Sequence, residues 1–333
     1  MFSKIWSPLT DMPNLHGKVA IVTGGNSGLG YSTVKFLALG GAKVYMAARS
    51  ELRAEKAIND LYRDNPKLET GSIVFLKLDL ASIKSVQAAA DEIKTKESRL
   101  DILVNNAGNF QNEVEKTDAG FEMIMAVCYI GHFVLVDRLL PLMKKTVSQP
   151  GADVRIVTVS SNAHQMFLPG SYAHNFFSPL SLTDPGIPHP KHWPLSPHLV
   201  RYAIAKSATI LFAAELQRRL DKEGTNIISL SLDPGGVSTP GTAAIFFTYV
   251  TPIMRLLFVS PDKGAVTPLF AATADEVRDK PSIYKGQYLL PYGKVGVPHP
   301  DMTNTKIALE LWNTTTSEVN RYLLSNGLPA VSA

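Results

Sequence analysis

The feature that most constrains the fold is a glycine-rich turn placed between an apolar run and an amphipathic one. Residues Val19–Val22 are apolar, Thr23–Gly30 reads TGGNSGLG, and the amphipathic stretch Tyr31–Leu39 follows directly. Glycines let the backbone turn tightly and approach a pyrophosphate, and a helix N-terminus offers free N–H groups and a partial positive charge. The pattern therefore predicts a buried strand, a nucleotide-phosphate cradle and a helix, with a purely structural turn as the alternative.

Strand-like and helix-like runs alternate along the rest of the chain, which is typical of parallel strands joined by crossover helices. The predicted strands are Lys18–Val22, Lys43–Ala47, Ser72–Lys77, Ile102–Asn105, Val154–Ser160 and Asn226–Leu232. The predicted helices are Tyr31–Leu39, Leu52–Arg63, Ile83–Lys96, Asp118–Met143 and Tyr202–Leu220. We expect an α/β fold with a doubly wound parallel sheet, in one domain over residues 1–333 with its core at about 15–324. A long substrate loop at about 163–200 and a C-terminal lid at about 238–262 interrupt the alternation.

Composition excludes several classes of function. The chain has 333 residues, 45% of them hydrophobic and 19% charged, which suffices for a large core. The net charge of +4 forms no basic stripe, so no nucleic-acid partner is expected. The single cysteine, Cys128, allows no intrachain disulfide, which permits a reducing compartment, and we expect a cytoplasmic protein.

No firm membrane span is predicted. The N-terminal residues lack the hydrophobic region of a signal peptide. The most apolar later window, Ala243–Val259, contains Pro252 and Arg255 and is too short for a span. Peripheral contact with a membrane surface stays open beside the alternative of a hydrophobic lid over a substrate.

The long loop is rich in histidines and aromatic residues. Its histidines lack metal-ligand spacing, so no metal site is expected, and we interpret them as exposed residues or substrate contacts; they are His174, His189, His192 and His198. The aromatic side chains here and downstream predict a pocket for a bulky apolar molecule, unless they only attach the loop to the body. They are Phe167, Tyr172, Phe176, Phe177, Trp193, Phe246, Phe247, Tyr249 and Phe258.

Three further motifs follow strands or open a helix. Asn105–Gly108 reads NNAG, Ser160 and Ser161 end the fifth strand, and Tyr202 precedes Lys206 by four residues on one helical face. A nearby ammonium favours phenolate and would lower the pKa of Tyr202 from about 10. With a serine hydroxyl on the substrate oxygen, these groups can move a proton while a hydride moves to or from a nicotinamide.

Together these motifs resemble the short-chain dehydrogenase/reductase family, in its retinol-dehydrogenase-like and fungal branches, from about Leu15 to Leu324. Further matching segments are Lys77–Leu80, Thr117–Glu122, Gly131–Phe133 and Pro234–Gly235. The resemblance implies a Rossmann fold and a nicotinamide cofactor, with Tyr202 as general acid/base, Lys206 tuning it, and Ser161 orienting the substrate oxygen. The cofactor-binding residues that it implies are Gly24, Ser27, Gly28, Leu29, Gly30, Asp79, Leu80, Asn106, Tyr202, Lys206, Val237 and Thr239. Asn106 could instead be purely structural.

The end of the second strand predicts the cofactor's phosphate state. An NAD-preferring enzyme needs a carboxylate there for the ribose hydroxyls, but this chain has Ala47-Ala48-Arg49-Ser50 and no acid before Glu51. Arg49 can pair with a 2′-phosphate. We therefore expect NADP(H), with an Arg49 that only stacks on adenine as the alternative.

The chain departs from the family pattern at two places. Cys128 stands where the family usually has an asparagine that bends its helix and holds a water, and we interpret it as a small buried residue rather than a nucleophile. Ser161 and Tyr202 are 41 positions apart, more than the family usually shows.

The leading functional hypothesis is an NADP(H)-dependent oxidoreductase that interconverts an alcohol and a ketone or aldehyde on a bulky hydrophobic substrate. A ketoreductase role in specialised (secondary) metabolism would suit the long loop. The alternative, motivated by Cys128, is a non-redox rearrangement, an epimerisation or a cofactor-sensing role on the same fold. A homodimer through the two longest predicted helices is also open.

Overall fold

The strands form one eight-stranded sheet in a computed structural model that describes residues 5–111, 113–168, 174–176, 178–184, 197–238 and 258–332. The spatial order is β3-β2-β1-β4-β5-β6-β7-β8, and every neighbouring pair is parallel except β7 with β8. The strands are β1 (Val19–Thr23), β2 (Lys43–Ala48), β3 (Ile73–Lys77), β4 (Ile102–Asn105), β5 (Arg155–Val159), β6 (Ile228–Leu232), β7 (Tyr288–Leu290) and β8 (Lys294–Val295). The prediction of a doubly wound parallel sheet is confirmed, and the short edge strand β8 adds one antiparallel pair.

Helices cover both faces of the sheet. The longer ones are α1 (Gly28–Leu39), α2 (Glu51–Asp64), α3 (Ile83–Lys96), α5 (Gly131–Val147), α8 (Pro197–Lys222), α10 (Val266–Thr273) and α13 (Thr305–Ser325). The shorter ones are α4 (Met123–Met125), a π-helical turn (Ala126–Ile130), α6 (Ala163–Met166), α7 (Leu180–Thr183), α9 (Pro261–Gly264), α11 (Asp275–Asp279), α12 (Pro281–Tyr284) and a 3₁₀ turn (Pro300–Thr303).

Two apolar cores result from the alternation of side chains along each strand. In β1, Ile21 packs into the core on the side of α3, α5 and α8, whereas Ala20 and Val22 pack into the core on the side of α1 and α10. Because both faces are covered, β1 is buried along its whole length, as expected of a parallel sheet. The chain leaves β1 for β2 on one side and meets β4 on the other, so a crevice opens at the carboxyl ends of these strands.

Two helices start five residues from their predicted positions. The predicted start at Asp118 lies in a turn that ends at Gly120, whose φ of +83° is incompatible with a right-handed helix. The helix begins only after Glu122, whose carboxylate caps it by accepting a hydrogen bond from the Met125 N–H at 2.8 Å. Helix α8 begins at Pro197 rather than Tyr202, and proline is favourable in a first turn because it needs no N–H partner there.

The sequence reading missed β7 and β8, which have three and two residues. By length and composition, the continuous helical stretch Met123–Val147 could cross a membrane, but 72% of its most apolar window is buried inside the protein. It packs against α3 and α8 in the larger core, as core helices do. Most of the window Ala243–Val259 and of the lid lies outside the described residues.

Candidate active site

The glycine-rich turn has the shape of an anion cradle. Gly24 and Gly28 have φ values of +64° and +54°, which L side chains rarely adopt. A Cβ on Gly30 would lie 2.3 Å from the Gly24 carbonyl oxygen, so only glycine allows this approach. Ser27, at the N-cap of α1, makes no side-chain capping bond, and residues 26–30 line an open cavity. The first N–H groups of α1 therefore face a space where a pyrophosphate could bind.

Thr23 and Asn106 hold this turn against the end of β4. The Thr23 Oγ1 accepts hydrogen bonds from the backbone N–H groups of Asn106 and Ala107, each at 2.9 Å. The Asn106 Nδ2 donates to the Thr23 carbonyl oxygen at 2.8 Å. Asn106 thus lines the cavity, as a cofactor-binding residue would, and also fixes the shape of the glycine turn, as a structural residue would.

His132 completes this network from the opposite side. Its Nδ1 lies 3.0 Å from the Cys128 carbonyl oxygen and its Nε2 lies 2.8 Å from the Thr23 Oγ1. A carbonyl can only accept, so Nδ1 carries the proton. Burial lowers the pKa of His132 to about 4, so the ring is neutral and Nε2 accepts from the Thr23 hydroxyl. The sequence analysis included His132 only as part of a matching segment and did not predict this role.

One cavity of about 900 Å³ connects the predicted site residues. Every predicted site residue that the structure describes lines it: Gly24, Ser27, Gly28, Leu29, Gly30, Arg49, Asp79, Leu80, Asn106, Ser161, Tyr202, Lys206 and Val237. Thr239 lies outside the described residues. The glycine turn and the Ser161, Tyr202 and Lys206 set are far apart in sequence, and the sheet brings them to the same crevice.

The three predicted catalytic residues come from β5 and α8. Ser161 follows β5, and its Oγ accepts from the Ala163 N–H at 3.2 Å, which leaves the hydroxyl hydrogen available for a ligand. The Lys206 Nζ donates to the Val159 carbonyl oxygen at 2.8 Å and lies 5.6 Å from the centre of the Tyr202 ring. Lys206 is buried, whereas Tyr202 keeps partial exposure to the cavity.

The predicted lowering of the Tyr202 pKa is wrong for this structure. Burial raises the pKa of Tyr202, and the nearby Cys128 and Asp233 act in the same direction. Burial also lowers the pKa of Lys206, whose ammonium is directed to a carbonyl oxygen. Sequence spacing placed Lys206 beside Tyr202 correctly but could not include the desolvation that favours the neutral phenol.

Cys128 lies in the π-helical turn, beside Gly108 but not in the cavity lining. A π-helical turn is thus present here without the asparagine that we associated with a bend, and His132 binds the Cys128 carbonyl. The Cys128 thiol is 3.7 Å from the Asn109 carbonyl oxygen, and burial raises its pKa. These observations support the interpretation of Cys128 as a buried, unreactive side chain.

The end of the cavity at β2 carries two arginines. Arg49 follows β2, and Arg53 lies in the first turn of α2, with the Ser50 hydroxyl accepting its backbone N–H at 3.4 Å. The Arg49 carbonyl accepts from the Lys77 Nζ at 2.7 Å, which fixes the backbone there. The sequence analysis missed Arg53, although its four-residue spacing from Arg49 across a helix start was a usable signal.

The aromatic prediction holds in part. Phe167 and Phe258 line the cavity, as does Phe110, which the sequence analysis missed. Phe176 is buried in the larger core and does not line it. The other predicted aromatic residues, Tyr172, Phe177, Trp193, Phe246, Phe247 and Tyr249, lie outside the described residues.

The histidines are less exposed than predicted. His174 and His198 are buried, while His189 and His192 lie outside the described residues. Within the described part of the chain, one group could offer three metal ligands: the ligand atoms of His174, His299 and Asp301 lie within 4.8 Å of one another. His174 is the member of this group that comes from the long loop, for which no metal site was expected.

Asp233 is a further buried charge that the sequence analysis missed. It follows β6, accepts from the Gly235 N–H at 3.0 Å, and burial raises its pKa. Its charge raises the pKa of Tyr202, as burial also does. It raises the pKa of Lys206 too, and there it opposes burial, which lowers that pKa.

Comparison with known proteins defines the class. The family model of short chain dehydrogenases matches residues 18–174. The chain is 47% identical over 312 residues to the short chain dehydrogenase/reductase dpchH of Colletotrichum higginsianum, covering 93% of this chain and 77% of that protein. It is 34% identical over 304 residues to human polyprenol dehydrogenase, covering 89% and 83%. An uncharacterized protein of Mycobacterium Paratuberculosis superposes with a TM-score of 0.69 at 28% identity, covering 95% and 97%.

This chain belongs to the short-chain dehydrogenase/reductase family, in which oxidoreductases use NAD(P) dinucleotides. The resemblance stated from its motifs, including the retinol-dehydrogenase-like and fungal branches, is confirmed.

Proposed function

We propose that the protein is an NADP(H)-dependent oxidoreductase that interconverts an alcohol and a ketone or aldehyde on a bulky hydrophobic substrate. The observation that carries this proposal is the single cavity shared by the glycine turn, Arg49, Ser161, Tyr202 and Lys206. The residues fit a dinucleotide, because a cradle of N–H groups and an arginine pair stand at two separate places along the cavity.

The chain's own residues would handle the substrate oxygen. When bound, the nicotinamide cofactor supplies or accepts the hydride. Tyr202, kept as a neutral phenol by burial, which raises its pKa, is in the form that donates a proton to a carbonyl oxygen. The free hydroxyl hydrogen of Ser161 would donate to the same oxygen and hold it beside the phenol. Lys206 places a positive charge next to the ring, which stabilises the phenolate that proton donation leaves.

The preference for NADP(H) rests on Arg49 and Arg53. Both line the cavity at the end of β2, where an NAD-binding enzyme needs a carboxylate. Two guanidinium groups offer several charge-assisted donors to a 2′-phosphate.

The hydrophobic substrate is supported by the side chains around Ser161 and Tyr202. Phe110, Met166, Phe167 and Phe258 line the cavity, and the Phe110 ring centre lies 5.6 Å from that of Tyr202. The human relative carries the name of a polyprenol, which is a large apolar alcohol. A role in specialised metabolism as a ketoreductase remains part of the proposal.

The first test is the replacement Tyr202→Phe. We expect the wild-type protein to oxidise NADPH with members of a panel of lipophilic ketones and aldehydes, and Tyr202→Phe to lose about 100-fold or more in kcat. Binding of NADPH, followed by tryptophan fluorescence, should stay unchanged in the variant. Tyr322→Phe on α13 is the matched control and should keep full activity. Full activity in Tyr202→Phe, or no turnover by a wild-type protein that binds NADPH, would contradict the proposal.

The second test separates the two cofactors. Arg49→Ala removes charge-assisted hydrogen bonds worth about 1.5–3 kcal/mol, so the Kd for NADPH should rise about 10- to 100-fold while the Kd for NADH stays constant. Lys56→Ala, further along α2 and exposed, is the control. Equal loss for both cofactors would show that Arg49 only stacks on adenine.

A further inference from the structure

The middle of the long loop between Ser161 and Tyr202 is attached to the protein at His174. Of residues 174–176, His174 and Phe176 are buried and Asn175 is exposed. The His174 Nε2 lies 2.9 Å from the Ser207 Oγ, and its Nδ1 lies 2.9 Å from the Asp301 Oδ2. The His174 backbone N–H also donates to the Asp301 Oδ2 at 3.3 Å. One side chain therefore joins the loop to α8 and to the C-terminal 3₁₀ turn.

Which nitrogen of His174 carries the proton follows from whether each of its partners can donate or accept a hydrogen bond. The Asp301 carboxylate only accepts, so the His174 Nδ1 is protonated and donates to it. The Nε2 of a neutral ring can only accept, so the single hydrogen of the Ser207 hydroxyl is shared between this nitrogen at 2.9 Å and the Ala203 carbonyl oxygen at 3.0 Å. Burial favours this neutral ring by lowering the pKa of His174, while Asp301 acts in the opposite direction.

Ser207, His174 and Asp301 have the order of groups found in serine hydrolases, but they cannot act in that way here. Ser207 is fully buried, and neither Ser207 nor His174 lines the cavity. A substrate in the cavity would not reach the Ser207 hydroxyl. The contacts must instead serve to place the residues that make them.

The contacts of His174 lie next to segments that carry the catalytic groups. Ser207 directly follows Lys206 and packs one helical turn after Ala203, whose carbonyl oxygen is 3.0 Å from the Ser207 Oγ. Asp301 follows His299, whose backbone N–H donates at 3.3 Å to the His164 Nε2. The other nitrogen of His164 contacts the Ser161 carbonyl oxygen at 2.7 Å. The same C-terminal segment thus contacts the loop at its start, beside Ser161, and at its middle.

A second contact holds the loop from α13. The Thr314 hydroxyl donates to the Phe176 carbonyl oxygen at 2.6 Å, two residues after His174. The Gln165 side chain donates to the Val297 carbonyl oxygen at 3.1 Å near the start of the loop. Met166 and Phe167, which follow directly, line the cavity.

We propose that His174 is a positioning residue for the substrate: through Ser207 and Asp301 it fixes the described loop segment 163–168, whose Met166 and Phe167 line the cavity after Ser161. This proposal rests on the proposed function, because it assigns the loop to the substrate rather than to the dinucleotide. The glycine turn and Arg49, assigned to the dinucleotide, line the cavity, whereas His174 and Ser207 do not. Loss of His174 should therefore affect the substrate and leave NADPH binding unchanged.

The kinetic test uses His174→Ala, Asp301→Ala and the double variant in the full-length protein. Loss of a buried hydrogen bond should raise the KM for the carbonyl substrate about tenfold, with kcat within about threefold and the NADPH Kd unchanged. Because the two side chains act as a unit, the double variant should be no worse than either single one. His174→Asn, which retains a donor toward Asp301, should recover part of the loss. His16→Ala, an exposed histidine, is the control.

A lower Tm with unchanged KM in His174→Ala would overturn the proposal, because it would show a structural role only. Metal bound at one ion per chain in the purified protein would also overturn the proposal, because a metal ion would then replace the hydrogen that joins His174 to Asp301. If His174→Ala does not fold, the comparison rests on His174→Asn and Asp301→Ala.

A measurement that does not need turnover separates this proposal from the proposed function. In hydrogen exchange with NADPH present, peptides covering 163–176 should exchange at least about tenfold faster in His174→Ala than in the wild type. Absence of turnover in the wild type, together with this faster exchange, would contradict the proposed function but support the attachment of the loop. Equal exchange in both proteins would overturn the attachment itself.

Discussion

His132 should lower the free energy of unfolding at acidic pH, and its replacement by glutamine should remove this contribution. The ring is buried, and its two nitrogens contact the Cys128 carbonyl and the Thr23 hydroxyl. A protonated ring could not accept from Thr23, and burial disfavours its charge. The side chain introduced by His132→Gln would offer an amide N–H to the carbonyl and an amide oxygen to the hydroxyl without titrating.

The size of the effect follows from the two pKa values. The pKa of His132 is about 4 in the folded protein and 6.5 ordinarily. Between these values the unfolded chain binds more protons, so stability falls as the pH falls from about 6.5 towards 4. From pH 8 to pH 5 this one residue should lower the free energy of unfolding by about 2 kcal/mol.

Urea unfolding of the wild type and of His132→Gln at pH 8 and pH 5 measures this difference. The other groups that titrate are shared by the two proteins, so their contributions cancel in the comparison. We expect the wild type to lose about 2 kcal/mol more than His132→Gln between the two pH values. Equal losses in the two proteins would refute the argument that His132 is held neutral.

Three further outcomes are expected. Gly30→Ala should destabilise the fold by about 1–3 kcal/mol in urea unfolding and abolish NADPH binding in fluorescence titration, because the new Cβ would meet the Gly24 carbonyl at 2.3 Å. Unchanged binding would contradict the close approach in the turn. Arg155→Met should cost about 3 kcal/mol in urea unfolding without changing the kinetic constants, since the buried guanidinium binds Asp153 and the carbonyl oxygens of Ala271 and Ala274. Altered kinetics at equal stability would refute this assignment. Cys128→Asn should change the rate of carbonyl reduction less than about fivefold, because the thiol does not line the cavity and the π-helical turn forms without an asparagine. A much larger gain in rate would show that Cys128 limits turnover.

Local features of the sequence predicted the elements that depend on neighbours in the chain. The bounds of α3 and β4 agree with the prediction, because alternating or helical apolar patterns specify which face of an element is buried. The spacing of Tyr202 and Lys206 predicted their proximity for the same reason. Prediction was poorer where special local geometry decides: α8 starts at Pro197, and the turn at Gly120 delays the helix before Cys128.

By itself, the sequence determined the family, the order of the motifs along the chain and the residue types at the dinucleotide and catalytic positions. Each of these motifs depends on backbone geometry within a few residues. Only the tertiary structure decided in which direction burial shifts the pKa of those residues and where the long loop is attached. Burial raises the pKa of Tyr202, His132 joins the π-helical turn to Thr23, and Asp301 holds His174 from more than a hundred residues away. Desolvation and hydrogen bonds between distant segments depend on what the whole fold packs around a group, and no local pattern in the chain contains that information.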